Sequence, residues 1–240
     1  TWQKDHMNAT RWMGAGTWAM AAMAALLLAA GCRSQRPAGL DPGRYEGKIR
    51  VACIGDSITY GAGIEDRETH SYPAVLGQLL GERFEVRNFG VSGATLLKNG
   101  DHPYWTQPEF EAATRFGPDV VIIKLGTNDS KPQNWKRSAE FARDLTDMVA
   151  HFERLPSRPR IWLCLPVPAY EERWGINDDV IGRQVIPLIV QVADKKRVPV
   201  IDLYDALSGR PDLFPDKIHP DAAGAKRMAQ TIRDALLAVR

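Results

Sequence analysis

Short apolar runs alternate along this chain with longer stretches of helical character, and this alternation constrains the fold more than any other feature. Strands that alternate with helices form a parallel sheet covered on both faces, with right-handed crossover connections. We therefore predict an α/β fold, a three-layer α/β/α sandwich around a five-stranded parallel sheet. The predicted strands are Ile49–Ile54, Phe84–Phe89, Asp119–Leu125, Arg160–Leu165 and Val198–Leu203. The predicted helices are Tyr72–Arg83, Pro108–Phe116, Trp135–Arg154, Asp178–Lys196 and Ala222–Val239.

Length and composition are those of one ordinary globular domain. The chain has 240 residues, of which 44% are hydrophobic and 25% are charged. Its formal net charge of +2 is too small to indicate nucleic-acid binding, and no basic run is interleaved with aromatic residues. We place the domain at residues 48–240. Pro187 should kink or split the fourth helix, because proline lacks the N–H that a helix interior needs.

The amino-terminal stretch has a different composition and predicts export. Trp18–Ala30 is uncharged and apolar, and it follows the basic residues Lys4 and Arg11. It is shorter than the roughly 20 residues that a membrane-spanning helix needs. A short apolar segment after a basic flank is typical of a signal peptide.

The end of this leader has two interpretations. Leu28–Cys32 (LAAGC) resembles a bacterial lipobox, although Ala29 stands where a larger aliphatic residue is usual. Ala29 and Gly31 equally suit ordinary signal-peptide cleavage. We expect a signal peptide over 1–32, lipidation of Cys32 and a polar linker over 33–47. This predicts an exported protein that a lipid anchor holds at the membrane of a bacterial cell envelope, with a periplasmic or secreted protein as the alternative.

Two further cysteines fall inside predicted strands. Cys53 lies in the first and Cys164 in the fourth, and these strands are not neighbours in the sheet order given below. Cysteines in apolar runs are commonly buried free thiols that behave as small hydrophobic side chains. We predict no disulfide between them.

Chemically useful residues follow four of the predicted strands, and parallel strands bring their carboxyl ends to one edge of a sheet. Ser57 follows the first strand, Asn88–Gly93 the second and Gly126–Asp129 the third. Asp216–His219 follows the fifth after a short segment. A hydroxyl, a glycine backbone, a carboxamide, a carboxylate and an imidazole are together the groups that acyl transfer requires.

Each of these residues suits a specific task in acyl transfer. A serine such as Ser57 is a poor nucleophile until a base takes its proton, and imidazole has a suitable pKa near neutrality. Asp216 and His219, in a turn bounded by prolines, can supply the partner and the base. The backbone N–H groups of Ser57 and Gly90 and the side-chain amide of Asn128 can donate to an oxyanion.

The four motifs together resemble those of the SGNH (GDSL-type) hydrolases. Gly-Asp-Ser follows the first strand, Asn-x-Gly-x-Ser-Gly the second and Gly-Thr-Asn-Asp the third, and Asp-x-x-His precedes the last helix. The resemblance covers 49–240 and implies a flavodoxin-like strand order of 2-1-3-4-5. It also implies a Ser57 nucleophile, a triad completed by Asp216 and His219, and an oxyanion hole containing Gly90 and Asn128. It implies no cofactor.

A narrower resemblance concerns the substrate. Lys124–Trp135 (KLGTNDSKPQNW) and Trp174–Asp179 (WGINDD) are similar to carbohydrate O-acetylesterases, including the sialate O-acetylesterase-like branch. Trp105, Trp135 and Trp174 follow strands two, three and four, where tryptophan faces suit sugar rings. They can instead simply pack loops onto the domain. We expect a serine esterase that hydrolyses O-acyl esters, in the first place O-acetyl esters on carbohydrates, through a Ser-His-Asp triad and an acyl-enzyme; its partner is an acylated small molecule or glycan.

Three alternatives stay open. A lysophospholipase or thioesterase needs a long apolar groove, whereas the loops after the strands are polar and aromatic. A surface carbohydrate-binding protein on an inactive hydrolase scaffold has no need of an intact triad. A hard cation held by carboxylates and an imidazole would leave Ser57 and Asn128 unexplained. The residues of that cation site would be Asp56, Asp129, Asp216 and His219.

Overall fold

A computed structural model describes residues 39–238, and one parallel sheet forms their centre. Its strands are β1 Ile49–Gly55, β2 Phe84–Gly90, β3 Val120–Lys124, β4 Arg160–Leu165 and β5 Val200–Asp202. All neighbouring strands pair in parallel, in the order β2-β1-β3-β4-β5. This confirms the predicted fold class and strand order.

Helices connect the strands and flank the sheet. The helices before β3 are α1 Ser57–Tyr60, α2 Arg67–His70, α3 Tyr72–Leu80 and α4 Pro108–Phe116. Between β3 and β5 lie α5 Pro132–Trp135, α6 Ser138–Glu153, α7 Asp178–Val180 and α8 Ile186–Lys196. After β5 come α9 Leu203–Leu207 and α10 Ala222–Leu237.

The side chains of each strand alternate between the two faces of the sheet, so they build two cores. On β1, Val51 and Cys53 join a core that α3, α9 and α10 cover. Ala52 and Ile54 point the other way, into a core that α4, α6 and α8 cover. The sheet is therefore buried on both faces, as parallel sheets require.

Most of the predicted elements are confirmed, and the differences have local causes. The strand predicted over Val198–Leu203 is shorter, since Leu203 already begins α9 and the Asp202 side chain accepts a hydrogen bond from the N–H of Asp205. The helix predicted over Trp135–Arg154 begins later, as α6 at Ser138, and Trp135 is the last residue of the short helix α5. The split expected at Pro187 is confirmed, because a π-helical segment directly precedes α8 and its proline-containing first turn.

The predicted linker is too long at its carboxyl end. Leu40 is buried in the core, and its backbone N–H donates to the carbonyl of Leu236. The guanidinium of Arg83 donates to the carbonyls of Pro42 and Tyr45. The folded unit therefore starts by residue 39 rather than at Lys48, because an apolar side chain within the polar stretch finds a place in the core.

The predicted signal peptide and the lipidation of Cys32 lie outside the described residues and stay predictions. The chain divides into one unit over Thr1–Gln35 and another over Arg36–Arg240, and the described residues all belong to the second. From 39 to 238, no helix has the length and apolar character needed to cross a bilayer.

Both cysteines of the described part of the chain are buried free thiols, as predicted. They lie on β1 and β4, with β3 between them. Burial raises the pKa of Cys164 to about 12 and raises that of Cys53 further above its usual range.

Candidate active site

The turn after β1 places a serine at the start of α1. At Gly55 an added Cβ would lie 2.6 Å from the carbonyl oxygen of Lys124, so only glycine fits this close approach between strands. Asp56 then caps the helix, because its Oδ1 accepts a hydrogen bond of 3.0 Å from the N–H of Ile58. Ser57 follows as the first helical residue, with 8% of its surface exposed.

A turn before α10 holds a carboxylate against an imidazole. Asp216 Oδ1 accepts from the backbone N–H groups of Ile218 (3.0 Å) and His219 (2.7 Å). Its Oδ2 lies 2.7 Å from His219 Nδ1, and His219 Nε2 lies 2.8 Å from Ser57 Oγ. Since the carboxylate is an acceptor, Nδ1 carries the proton, and Nε2 is left to accept from the serine hydroxyl.

The hydrogen bonds of this turn also set the charge of Asp216. Partial burial acts to raise its pKa, but the hydrogen bonds from His219 and Ile218 outweigh burial and lower the pKa below its usual value. Asp216 therefore stays ionised wherever an imidazole is neutral. A permanent carboxylate on Nδ1 holds the ring in one tautomer and stabilises an imidazolium.

Ser57 and His219 open onto a small cleft of about 240 Å³ at the carboxyl edge of the sheet. This is below the roughly 300–1,000 Å³ of sites that enclose drug-sized ligands. The residues that line the cleft are Ser57, Ala62, Ser92, Gly93, Asn128, Lys131, Trp174, Ile176 and His219. Ligands of open α/β sheets bind at this edge, outside the carboxyl ends of the strands.

Asn128 faces this cleft from the loop after β3. Its Nδ2 donates one hydrogen bond of 3.1 Å to the carbonyl of Ala94, which fixes the amide and leaves its second N–H unused. Gly93 lines the cleft from the loop after β2, at a left-handed φ of +83° that favours glycine. Within residues 39–238, the backbone N–H of Gly93 and that of Ser57 have no hydrogen-bond acceptor.

Gly90, which the sequence motif pointed to, is not in the cleft. Its N–H donates 2.9 Å to the side-chain oxygen of Asn88, so this donor is already occupied. An added Cβ on Gly90 would lie 2.2 Å from the backbone nitrogen of Tyr60. Gly90 is therefore a site of close packing between β2 and α1, and the glycine that reaches the cleft is Gly93.

Two of the three predicted tryptophans lie away from the cleft. Trp105 is half-buried, and its indole Nε1 donates 2.8 Å to the carbonyl of Leu96. Trp135 packs on Phe141, and its Nε1 donates 2.7 Å to Gln184 Oε1. Both therefore pack loops onto the domain, which was the alternative interpretation.

Trp174 is the tryptophan that lies at the cleft. Its side chain is exposed to 55%, and its ring centroid is 5.6 Å from that of His219. The guanidinium of Arg173 lies 4.6 Å from the same indole centroid and donates to the carbonyl of Asp216. An exposed aromatic face held by a neighbouring cation is available for contact with a ligand.

Asp56 and Asp129 are buried and engaged with other protein groups instead of facing the cleft. Asp56 forms an ion pair of 3.0 Å with Lys124, and both side chains are completely buried. Asp129 accepts hydrogen bonds from the backbone N–H groups of Leu96 and Leu97. Burial raises the pKa of Asp129 to about 7, although these two hydrogen bonds act to lower it. Asp129 therefore ties the loop after β2 to the loop after β3.

Sequence reasoning overlooked Lys124. It ends the otherwise apolar run Val120–Lys124, and a charged residue inside a buried strand is the signal that identifies a buried ion pair. Burial lowers its pKa, while Asp56 acts to raise it. Gly93 was also overlooked, because the motif after β2 contains two glycines and only the course of the backbone distinguishes them.

Known proteins resemble this chain in sequence and in fold. The model of the GDSL-like lipase/acylhydrolase family matches residues 53–227. An acetylxylan esterase of Xylanibacter ruminicola is 43% identical in an alignment 213 residues long, which covers 81% of this chain and 44% of that protein. A multidomain esterase of Ruminococcus flavefaciens is 24% identical in an alignment 216 residues long, which covers 77% of this chain and 28% of that protein.

A solved structure shares the fold. A carbohydrate acetylesterase from Sinorhizobium meliloti superposes with a TM-score of 0.67 at 21% identity, covering 80% of this chain and all of that one. At this identity the likeness concerns the fold alone. The chain spans less than half the length of the two curated relatives described above.

Proposed function

The chain belongs to the GDSL-like lipase/acylhydrolase family, and from this premise we propose that it is a serine esterase that removes acetyl groups from carbohydrates. The observation that carries the proposal is the line of hydrogen bonds from Ser57 through His219 to Asp216, at 2.8 and 2.7 Å. These distances lie within the reach that a nucleophile, a base and an orienting carboxylate require.

The proposed reaction proceeds through an acyl-enzyme. His219 Nε2 takes the proton of Ser57 as Oγ attacks the ester carbonyl, and Asp216 stabilises the imidazolium that forms. The imidazolium then protonates the leaving sugar oxygen as the ester bond breaks. Water, deprotonated in turn by His219, attacks the acetyl-serine, and the release of acetate returns the proton to Ser57.

Three donors are available for the oxyanion of the tetrahedral intermediate. We assign this role to the backbone N–H groups of Ser57 and Gly93 and to the side-chain amide of Asn128. The two N–H groups have no acceptor in the described part of the chain, and the amide retains one unused hydrogen. Gly93 is thus the proposed oxyanion donor, in the role for which the sequence motif favoured Gly90.

Two observations favour an acetyl ester on a sugar. The cleft of about 240 Å³ is small, which suits a short acyl group better than a long chain. Trp174 offers an exposed indole face beside His219, where a sugar ring can stack as the ester enters. The names of the acetylxylan esterase and of the carbohydrate acetylesterase point the same way.

Acetate release by the purified protein tests this proposal. The substrates are acetylated xylan, O-acetylated sialic acid and p-nitrophenyl esters of increasing chain length. We expect preference for the acetyl ester and turnover of one of the glycans. Preference for long chains would indicate a lysophospholipase or thioesterase, and absence of turnover with unimpaired glycan binding would indicate a carbohydrate-binding protein.

The Ser57→Ala variant is the matched control for that measurement. Loss of one hydroxyl at the start of α1 leaves the packing of the turn unchanged, so the variant should fold with an unaltered circular dichroism spectrum. It should lose all turnover, and it should not react with a fluorophosphonate probe that labels the unmodified protein. A variant that still hydrolyses the acetyl ester would contradict the assignment of Ser57.

A further inference from the structure

A single buried ammonium connects the two loops that carry the nucleophile and the amide donor. All three N–H groups of Lys124 Nζ have acceptors, namely Asp56 Oδ1 (3.1 Å), Asp56 Oδ2 (3.0 Å) and Thr127 Oγ1 (2.8 Å). Asp56 directly precedes Ser57, and Thr127 directly precedes Asn128. The two residues that the ammonium contacts are therefore the chain neighbours of Ser57 and Asn128, which both face the cleft.

We propose that Lys124 is a positioning residue that sets the distance between the Ser57 nucleophile and the Asn128 amide. The inference rests on the proposed function, since that function supplies the roles of both residues. Lys124 does not line the cleft, so it acts through its two partners and touches no substrate.

The backbone of Lys124 gives this connection a rigid base. Lys124 is the last residue of β3, and it pairs in register with Gly55 at the end of β1. Asp56 extends the anchor into α1, because Oδ1 also accepts the N–H of Ile58. The positions of the nucleophile and of the amide are thus both fixed relative to the ends of β1 and β3, the central strands of the sheet.

The free-energy cost of burying the Lys124–Asp56 ion pair argues for a positional role. Lys124 and Asp56 are both completely buried, and taking two charges out of water offsets much of their mutual attraction. Well-packed apolar side chains would stabilise the fold as well as a buried ion pair does. An apolar pair has no directional contacts, however, so it would leave the loops of Ser57 and Asn128 free to shift.

The Thr127→Val variant tests the connection with the least disturbance. It replaces a hydroxyl by a methyl group, so it cuts the contact between Lys124 and the Asn128 loop and leaves the ion pair with Asp56 intact. We expect kcat for p-nitrophenyl acetate to fall by about 10- to 100-fold with little change in KM, since small misplacements of reacting groups have effects of this size.

The matched control is Thr114→Val. The hydroxyl of Thr114 also bridges two elements, because it donates to the carbonyl of Phe110 in α4 and lies 2.9 Å from His151 Nε2 in α6. Neither Thr114 nor the two residues it contacts lines the cleft, so kcat should stay within about 2-fold of the unmodified protein. A loss that equals that of Thr127→Val would mean that the effect is general and would overturn the proposal.

A double substitution separates positioning from a merely structural effect. If Thr127 acts by placing the Asn128 amide, Thr127→Val should lower kcat by less than about 2-fold in an Asn128→Ala background, because coupled residues are not additive. An undiminished effect of Thr127→Val in that background would overturn the proposal.

Hydrogen–deuterium exchange gives a readout that does not depend on turnover. Thr127→Val should raise exchange in the peptide that covers 55–61, which contains no substituted residue but shares the Lys124 connection. Exchange that changes only within 124–131 would overturn the proposal even if the unmodified protein were inactive. Inactivity of the unmodified protein by itself would count against the proposed function alone.

Lys124→Met provides a stronger version of the same test. It keeps an unbranched side chain, one atom shorter, but removes the ammonium, so Asp56 is left buried without its partner and the variant should be less stable. Where it folds, it should show the exchange pattern of Thr127→Val at larger amplitude. Unchanged exchange across 55–61 in the folded Lys124→Met variant would contradict the proposed connection.

Discussion

At the scale of single residues, the Ser57 hydroxyl contacts the imidazole of His219, which lies 162 residues further along the chain. Asp216 and His219, in contrast, are three residues apart and are connected by two hydrogen bonds within one turn. The imidazole and its carboxylate are therefore assembled locally. The tertiary structure then brings the Asp216–His219 pair next to Ser57.

Asn128 should contribute to kcat far more than to stability. Asn128→Ala removes one of three proposed oxyanion donors, and loss of one such donor lowers kcat by on the order of 10²–10³ with little change in KM. Steady-state kinetics with p-nitrophenyl acetate measures this effect, because a donor that acts only on the developing charge alters kcat and leaves ground-state binding intact.

Asn88→Ala is the control for this prediction. The Asn88 amide also bonds to backbone groups near Ser57, donating to the carbonyl of Thr59 and accepting from the N–H of Gly90, but it does not line the cleft. Asn88→Ala should therefore lower the free energy of unfolding and leave kcat nearly unchanged. A similar fall in kcat for both variants would show that backbone support, and not oxyanion stabilisation, explains the effect of Asn128→Ala.

At the scale of elements, the segment that precedes β1 is part of the fold. Leu40 packs in the core that α3 and α10 cover, and Arg160 donates to the carbonyl of Gly39. The polar composition of this stretch suggested a linker, because composition does not show which single apolar residue is buried. Leu40 is 5% exposed, and this burial distinguishes an integral segment from a tether.

Leu40→Ala should therefore destabilise the protein by about 2–5 kcal/mol, which is the usual cost of removing a buried leucine side chain. Urea unfolding followed by circular dichroism measures the change in the free energy of unfolding. Val190→Ala is the control, since Val190 is 37% exposed and its substitution should change stability by about 0.5 kcal/mol or less. Equal stability of Leu40→Ala and the unmodified protein would restore the interpretation of a linker.

At the scale of the whole molecule, stability in acid should depend on the turn that holds His219. The pKa of Asp216 is below its ordinary value of 3.8 in the folded protein, although burial acts in the other direction. A carboxylate with a lowered folded pKa contributes stability above its unfolded pKa, and this contribution is lost as the pH falls through the folded pKa.

Melting temperatures of the unmodified protein and of Asp216→Asn, measured from pH 6 down to pH 2, test this dependence. The unmodified protein should be the more stable above about pH 4, because only there is the Asp216 carboxylate ionised in both states. The difference in melting temperature between the two proteins should narrow as the pH falls below that value. A difference that stays constant over the range would show that Asp216 does not contribute through its charge.

The linear pattern of the chain was enough to predict the architecture and to place three polar residues at one edge of the sheet. The period of apolar runs predicted five parallel strands, and a parallel sheet brings their carboxyl ends to one edge. Ser57, Asn128 and His219 therefore had to lie near one another. These inferences succeeded because hydrophobic periodicity and strand direction are local properties that a linear pattern records.

Which member of each local group reaches the cleft depends on packing in three dimensions. It selected Gly93 over Gly90, separated Trp174 from the other two tryptophans and paired Lys124 with Asp56. Each of these outcomes depends on contacts between segments that are distant along the chain. A sequence pattern shows which chemical groups are available near a strand end, but the direction of each side chain and N–H group follows from packing.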